Sequence, residues 1–231
     1  MLQKQSLISM LRLQDEINVL IDPCWRATGN NFLRAAMMEA SEAVDHHGWK
    51  WWKHQQMDLA QLQLELVDIW HFLLSDWICK SGPLTLDQLA DEIMSTIVER
   101  DCIVLDGKSY LLGEISNLLD KLQLQVGLYA CGRSDAGLFG NIMANCGMTW
   151  DNLTRQYIGK NALNIFRQRH GYKSGTYQKI WFGKEDNEHM MAITASMDMA
   201  APDAAENLIE ALGEVYLDVL ASLSQAKSSA V

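Results

Sequence analysis

The sequence is poor in proline, in paired cysteines and in positive charge, and each shortage excludes a class of protein. Three prolines in 231 residues leave long stretches in which a helix can run without interruption. Five cysteines form no Cys-x-x-Cys pair, which argues against a disulfide framework or a zinc ribbon and favours a reducing, cytoplasmic setting. The formal net charge of −10 argues against binding nucleic acid through a broad basic surface.

Long apolar runs are also missing. No stretch of about 18 apolar residues occurs, so no membrane span is predicted, and the first residues do not have the pattern of a signal peptide. Because 48% of the residues are hydrophobic, the chain can bury a substantial core. We therefore expect a soluble protein with a single domain over residues 1–231, whose tail, residues 226–231, frays.

Apolar residues recur at helical spacing along almost the whole chain, which predicts an all-α fold. Strand-like alternation is nearly absent, and residues 102–106 look too short to build a sheet. Residues 169–184 hold three glycines and form the one long irregular segment. The predicted helices run from Leu7 to near Pro23, from an Asn30 or Asn31 cap to Gly48 and from Asp58 to Gly82, and then over residues 86–100, 109–130, 135–146, 150–168, 187–198 and 203–225.

Two pairs of carboxylates stand out on the second and third predicted helices. Glu39 and Glu42 are three residues apart, and Glu65 and Asp68 repeat that spacing inside an apolar stretch. An offset of three places both members of a pair on one helix face. Carboxylates on a core-facing side are costly unless they are paired or bind metal, and an all-oxygen site suits Mg²⁺ or Mn²⁺. The alternative is that each pair only decorates a solvated face.

His71 follows Asp68 by three residues, so a di-iron carboxylate bundle has to be considered. Such a bundle uses a Glu-x-x-His from each of two helices. The sequence offers one carboxylate-x-x-His, with aspartate. We therefore interpret His71 as a packed histidine or one that supports the ligands.

The segment from residue 160 to residue 184 carries six lysines and arginines and no acidic residue, a local inversion of charge in an acidic protein. Lysines, arginines and glycine-flanked backbone amides bind anions, so the segment is typical of a loop that closes over a polyphosphate. A nucleic-acid-binding arm or a plain surface loop is the alternative. Trp49, Lys50 and Lys53 form a second cationic and aromatic cluster that could stack on a base and reach phosphates, or pack on the core. Gln14 and Asn18, four apart on the first helix, could read a pyrimidine edge.

Together these segments resemble the dimeric, all-α dUTPase family. The resemblance rests on Leu13-Gln14 with Asn18, on MEASEAVD (38–45) with GWKWWK (48–53), on ELVDIWHF (65–72) and above all on IGKNALNIFRQRHGYKSGTYQKIWFGKEDNE (158–188). It implies a multi-helix bundle with a four-helix metal-binding core and a smaller mobile helical lobe, assembled as a homodimer. It also implies hydrolysis of dUTP to dUMP and pyrophosphate, and of dUDP to dUMP and phosphate, with Mg²⁺ as cofactor and Mn²⁺ as a substitute.

The resemblance assigns a role to each candidate residue. The metal ligands are Glu39, Glu42, Glu65 and Asp68, and Glu42 is our choice of general base, with Glu39 the close alternative. Gln14, Asn18 and Trp49 hold the uracil, while Asn164 and Tyr177 lie near the sugar or α-phosphate. The predicted phosphate contacts are Lys50, Lys53, Lys160, Arg167, Lys173 and Lys179.

Two other functions remain open on the sequence. The chain could be a broader nucleotide pyrophosphatase of the MazG type, which shares the two carboxylate pairs. It could also be a helical module that senses nucleotide without turnover. A metal-bound water next to a carboxylate base is a competent nucleophile at neutral pH, which favours an enzyme.

Overall fold

The computed structural model describes residues 1–97, 102–199, 201 and 203–228, with side chains up to residue 225. Helices dominate, so the predicted all-α class is confirmed. The elements in order are α1 (Lys4–Ile21), a short 3₁₀ turn (Trp25–Ala27), α2 (Phe32–His47), α3 (Leu59–Lys80), α4 (Leu86–Thr96), β1 (Cys102–Leu105), β2 (Lys108–Leu111), α5 (Leu118–Ala130), α6 (Ala136–Asn145), α7 (Trp150–Arg169), β3 (Ile180–Trp181), β4 (Lys184–Glu185), α8 (Asp186–Thr194) and α9 (Ala204–Ser228).

Local capping explains where the two carboxylate-bearing helices begin. The Asn31 side chain accepts a hydrogen bond from the backbone of Arg34 at the start of α2, and Asp58 does the same for Gln61 at the start of α3. Each bond satisfies a backbone N–H that has no partner within the helix. Helix α2 ends at Gly48, whose φ of 85° is left-handed and favours glycine. These starts and stops confirm the prediction and select Asn31 over Asn30.

The segment from residue 102 to residue 117 differs from the prediction. Residues 102–106 were expected to be too short for a sheet and a helix was expected from residue 109, but β1 and β2 pair as an antiparallel hairpin. Asp106 and Gly107 form its turn with φ values of 50° and 73°, which the Asp-Gly pair favours because such turns match the twist of the strands. The helix, α5, begins at Leu118 after the Asn117 cap.

The other predicted boundaries agree more closely. The irregular segment after α7 contains a two-residue hairpin, β3–β4, whose Trp181 is fully buried. Helix α9 continues to Ser228, through the first part of the tail that we expected to fray. Residues 98–100 of the predicted fourth helix and residues 229–231 of the tail lie outside the described residues.

Helix α3 lies at the centre of the molecule. It packs against α2, which in turn packs against α5, and it also contacts α1 and α7. Helices α8 and α9 pack on α7 at the C-terminal end of the chain. Buried apolar side chains from α1 through α9 form one cluster. Among the described residues, no helix is long and apolar enough to cross a membrane. Helix α3 thus contacts α1, α2 and α7, and all four helices carry candidate site residues.

Candidate active site

Three of the four predicted metal ligands converge where α2 packs on α3. One carboxylate oxygen each of Glu39, Glu42 and Glu65 lie within 4.8 Å of one another. Glu65 is 9% exposed, Glu39 is half-buried and Glu42 is exposed, so the group is open on the Glu42 side. The i, i+3 spacing on α2 and the close packing of α2 on α3 together produce this cluster.

Crowding perturbs the acidity of the cluster. Burial raises the pKa of Glu39 to about 7, and the negative charges of Asp68, Glu42 and Glu65 add to the effect. Burial and the charges of Asp68 and Glu42 also raise the pKa of Glu65, while its hydrogen bond with Glu39 and the charge of Lys160 oppose the rise. Burial and mutual repulsion therefore disfavour the charged forms of both Glu39 and Glu65, as expected for crowded carboxylates.

The fourth predicted ligand, Asp68, pairs with a lysine. Its Oδ2 accepts a hydrogen bond of 2.6 Å from Nζ of Lys160 on α7. Asp68 remains close enough to the cluster to raise the pKa values of Glu39 and Glu65. His46, one turn after Glu42 on α2, places Nε2 at 3.4 Å from Glu65 Oε1.

The donor set fits a hard divalent cation. Three carboxylate oxygens close together, and a fourth carboxylate beside them, match the oxygen ligands that Mg²⁺ and Mn²⁺ prefer. The raised pKa values of Glu39 and Glu65 and the lysine on Asp68 are both consequences of the negative charge concentrated in this cluster. Glu39, Glu42, Glu65 and Asp68 would hold the ion.

A buried polar network lies next to the carboxylates, between α1, α3 and α7. The Tyr157 hydroxyl donates to Oε1 of Gln14 at 2.8 Å and accepts from Nδ2 of Asn161 at 3.0 Å. Gln14 donates to Asn18 at 3.2 Å, and Asn18 donates to Ser75 on α3 at 2.9 Å. The two residues predicted to read a base are thus neighbours, and they are held by partners that the sequence reasoning missed.

His71 links this network to the carboxylates. Its ring stacks on Tyr157 with centroids 4.2 Å apart, and its Nδ1 hydrogen-bonds to the carbonyl of Val67 at 2.8 Å. Nε2 has no hydrogen-bond partner among the described residues, and burial lowers the pKa of His71 to about 4. His71 is therefore a neutral, packed histidine, in agreement with the interpretation that it is not part of a di-iron site.

Asp186 binds two of the predicted substrate residues directly and a third through Arg167. Arg167 donates to both of its carboxylate oxygens at 2.8 Å, and the Tyr177 hydroxyl donates to Oδ2 at 2.8 Å. Nη1 of Arg167 also donates to Asn164 at 3.2 Å. Burial alone would raise the pKa of Asp186, but the hydrogen bonds from Arg167 and Tyr177 outweigh it and lower the pKa. The sequence reasoning missed Asp186 because it lies two residues beyond the acid-free segment.

Three other cations of the segment 160–184 also have partners within the protein. Arg169 pairs with Glu16 of α1 at 2.5 Å, and Lys179 pairs with Glu185 at 3.2 Å. Lys173 donates to the carbonyl of Ile21 at the end of α1, at 3.1 Å. The segment is free of acids in the sequence, but the fold brings carboxylates to it from α1, α3 and the start of α8.

The Trp49 cluster lies apart from the network around Gln14. Trp49 Nε1 and Lys50 Nζ both donate to Asp45 at 3.0 Å, and the ring of Trp49 lines a cavity of about 480 Å³ between α2 and α5 with Val44. Val44 is five residues from Glu39, which places it about 140° around α2. In the described part of the chain, no hydrogen bond or ring contact joins Trp49 to Gln14 or Asn18. Lys53, in the turn that follows, is exposed.

The structure therefore brings many of the candidate residues together around α3 and α7. Helix α3 presents Glu65, Asp68, His71 and Ser75 at spacings of three or four residues, and α7 presents Lys160, Asn164 and Arg167 in the same way. The sequence reasoning did not predict five residues that contact the candidate residues or one another, namely Asp186, Tyr157, Asn161, Ser75 and His46. Trp49 and Lys50 are held elsewhere, at the C-terminal end of α2.

A comparison with family models finds a match over most of the chain. A family model described as dUTPase matches residues 6–172, which is more than half of the chain and includes all four carboxylates and Lys160. The matched region ends before Lys173, Tyr177 and Lys179. A comparison with curated proteins gives no significant match.

Proposed function

The chain belongs to the dUTPase family, and on this premise we propose that it is a dUTP diphosphatase that releases dUMP and pyrophosphate with Mg²⁺ as cofactor. Hydrolysis of dUDP to dUMP and phosphate, and the use of Mn²⁺ in place of Mg²⁺, are parts of the same proposal. The observation that carries it is the convergence of Glu39, Glu42 and Glu65 within 4.8 Å, beside a face of α7 with Lys160, Asn164 and Arg167.

Water attacks one of the two phosphorus atoms, α or β, that the bridging oxygen joins. The new bond joins the water oxygen to phosphorus, the bond to the bridging oxygen breaks, and a proton passes from the water to a carboxylate. Glu42 is our choice of base because it is the exposed member of the cluster, whereas Glu39 is half-buried and Glu65 is 9% exposed. A bound divalent ion supplies positive charge that polarises water and phosphate oxygens.

The remaining residues bind and orient the nucleotide in this proposal. Lys160, Lys173 and Lys179 would exchange their protein partners for phosphate oxygens, and Lys50 and Lys53 would reach phosphates from the end of α2. Arg167 would keep Asp186 and offer phosphate its Nη1, the nitrogen that does not bind Asp186. Gln14 and Asn18, fixed by Tyr157 and Ser75, would present amide groups to the uracil. Trp49 would stack on the base once the turn after α2 moves it from its place beside α5, while Asn164 and Tyr177 would lie near the sugar or α-phosphate.

Pyrophosphate release from each of the four common deoxynucleoside triphosphates and dUTP, with and without Mg²⁺, tests this proposal. We expect Mg²⁺-dependent release from dUTP, and its loss in Glu42→Gln with the fold intact. Glu92→Gln, an exposed glutamate on α4, is the matched control and should keep full activity. Comparable release from dTTP would reject uracil specificity in favour of a broader pyrophosphatase, and binding of dUTP without release would support a sensing module.

We also propose that the protein is a single-domain homodimer of the reducing cytoplasm with a smaller mobile helical lobe. The family supports the dimer, and the five cysteines, all free thiols, support the compartment. Light scattering on the protein as it elutes from a size-exclusion column should give twice the monomer mass of 26.1 kDa. A monomer that hydrolyses dUTP would reject the dimer and leave the activity in place.

A further inference from the structure

Lys160 is placed where it can control the metal site. We propose that Lys160 is an internal counter-ion that occupies Asp68 until a phosphate anion draws its ammonium group away, so that metal ion and nucleotide bind cooperatively. The inference rests on the proposed metal-dependent function of the carboxylate cluster. It concerns Lys160, a residue that would otherwise be described as a simple phosphate contact.

The first observation is that the four carboxylates are not equivalent. Glu39, Glu42 and Glu65 have oxygens that converge within 4.8 Å, and Asp68 is outside that group. Its Oδ2 instead contacts Lys160 Nζ at 2.6 Å, a short, charge-assisted hydrogen bond. The ammonium on Oδ2 neutralises much of the negative charge of Asp68, so this carboxylate attracts a further cation less strongly.

The second observation is that the ammonium of Lys160 lies within electrostatic reach of Glu65 as well as Asp68. The charge of Lys160 opposes the rise in the pKa of Glu65 and contributes to the low pKa of His71. It is therefore close enough to these groups to repel a second cation that binds there. A divalent ion and Lys160 compete for the same negative charge.

The third observation is that the pair is easy to exchange. The side chains of Lys160 and Asp68 are 36% and 27% exposed, unlike the Arg167–Asp186 pair, in which Asp186 is fully buried. A partly exposed ion pair contributes little to stability, so a phosphate can displace the carboxylate at small cost. Lys160 also begins the row that continues with Asn164 and Arg167 on α7, so a bound polyphosphate would lie within its reach.

The contribution of Asp68 to metal affinity therefore depends on where the Lys160 ammonium group lies. With Lys160 present and no phosphate, Asp68 contributes little to metal affinity. When Lys160 is removed, or when phosphate holds it, Asp68 becomes a full ligand. Nucleotide and metal ion then each increase the affinity for the other, as linkage requires.

A double-mutant cycle on metal binding tests this directly, with the full chain and no nucleotide. The affinity for Mn²⁺ is measured from the electron paramagnetic resonance signal of the free ion, for wild type, Lys160→Met, Asp68→Asn and the double variant. We expect Asp68→Asn to weaken Mn²⁺ binding by less than about threefold in the wild-type background and by about tenfold or more in the Lys160→Met background. Lys160→Met alone should tighten binding about tenfold.

Two further variants complete the cycle. Lys80→Met removes a lysine that pairs with Asp76 at 2.7 Å farther along α3, and it should leave Mn²⁺ affinity unchanged. Lys160→Arg keeps a cation on Asp68 and should behave as wild type. Thermal melts of all variants check that they fold.

Inorganic tripolyphosphate serves as the anion probe. In the presence of tripolyphosphate, the Asp68→Asn change should weaken Mn²⁺ binding in the wild-type background. The loss should be as large as the one that the same change causes in the Lys160→Met background without tripolyphosphate. Equal effects of Asp68→Asn in all backgrounds, or no Mn²⁺ binding by any variant, would overturn the proposal. Hydrolysis of dUTP together with equal effects would reject this inference alone, whereas the expected cycle without any hydrolysis would reject only the proposed function.

Discussion

Arg167 and Asp186 form a bidentate ion pair in which Nε and Nη2 of the arginine donate to the two carboxylate oxygens at 2.8 Å each. Asp186 is completely buried and Arg167 is 18% exposed. The pair joins α7 to the first residue of α8, and the Tyr177 hydroxyl binds the same carboxylate from the segment between these helices. This one buried charge therefore holds the segment after α7 in place.

Breaking this pair from either side is expected to destabilise the protein strongly. Asp186→Leu and Arg167→Met should each lower the free energy of unfolding by about 3–5 kcal/mol, because each leaves a buried charge without its partner. The double variant should lose less than the sum of the two, by at least about 2 kcal/mol. Urea unfolding followed by circular dichroism gives these values.

The exposed pair of Arg169 and Glu16 is the control for this cycle. Their side chains are 47% and 41% exposed, so Arg169→Met should cost no more than about 1 kcal/mol. If the losses at Arg167 and Asp186 simply add, the two residues do not stabilise each other and Asp186 does not anchor the segment.

The crowded carboxylates are expected to destabilise the metal-free protein at high pH. The pKa of Glu39 is raised to about 7 in the folded state, so stability is lost as pH rises from the unfolded value of about 4.5 through 7. After allowance for screening by solvent, Glu39→Gln should raise the free energy of unfolding by about 1 kcal/mol at pH 8 with a chelator present.

The gain from Glu39→Gln should disappear at pH 5, where the wild-type carboxyl is protonated, and should be absent in Glu92→Gln at any pH. Thermal melts across this range measure the effect. Addition of Mg²⁺ should then stabilise the wild type more than the variant, because bound ligand stabilises the folded state. A variant that is less stable than wild type at pH 8 would contradict the assignment of Glu39 to a repulsive cluster.

His71 is expected to make the protein sensitive to acid. Burial lowers its pKa to about 4, whereas the unfolded chain takes up a proton near pH 6.5, so stability is lost as pH falls through this interval. The loss attributable to His71 should reach about 3 kcal/mol at pH 4. His71→Phe, which can still stack on Tyr157, should show a smaller fall in unfolding free energy between pH 7 and pH 4.

His54 offers the comparison for this measurement, because it is exposed and its replacement by phenylalanine should not change the pH dependence. Urea unfolding at several pH values gives the three curves. Parallel curves for wild type and His71→Phe would mean that His71 takes up its proton as readily in the folded protein as in the unfolded chain.

Gly171 and Gly175 provide a matched pair for testing the turn after α7. Both have left-handed backbones, with φ of 88° and 72°. A Cβ on Gly171 would lie 2.1 Å from Oγ1 of Thr176, whereas a Cβ on Gly175 would meet nothing within 4 Å. Gly175→Ala should therefore cost about 1 kcal/mol from backbone strain alone, and Gly171→Ala should cost clearly more.

In the same pair of variants, only Gly171→Ala should weaken binding of inorganic tripolyphosphate, because it displaces the segment that carries Lys173 and Tyr177. Titration calorimetry measures the binding. Equal losses of stability and affinity in the two variants would show that the close approach to Thr176 does not matter.

Much of the fold could be predicted because its signals are local. Asn31, Asp58 and Thr85 cap their helices through hydrogen bonds to residues three positions later, and Gly48 ends α2. The hairpin at Asp106-Gly107 could have been predicted from the same kind of signal, and its omission was an error of interpretation. The predicted helix start at residue 109 was wrong because the turn leads into β2, which occupies Lys108–Leu111.

The pairing of charges could not be predicted in this way. Lys160 and Asp68 are 92 positions apart, and Arg169 and Glu16 are 153 apart, so nothing local indicates that they meet. Trp49 is adjacent to the carboxylate helix in sequence, yet the structure turns it toward α5. Sequence reasoning treated the acid-free segment as uncompensated positive charge, and the packing of α1, α3 and α8 against α7 supplies the compensation.

The sequence by itself therefore determined the helices and the faces on which the carboxylates stand, because capping and i, i+3 spacing act within a few residues. Only the tertiary structure decided which charges neutralise one another: three carboxylates converge, Asp68 pairs with Lys160, and Arg167 pairs with a buried Asp186. The physical reason is that electrostatic energy depends on distance and burial, and both are fixed when helices far apart in sequence pack together.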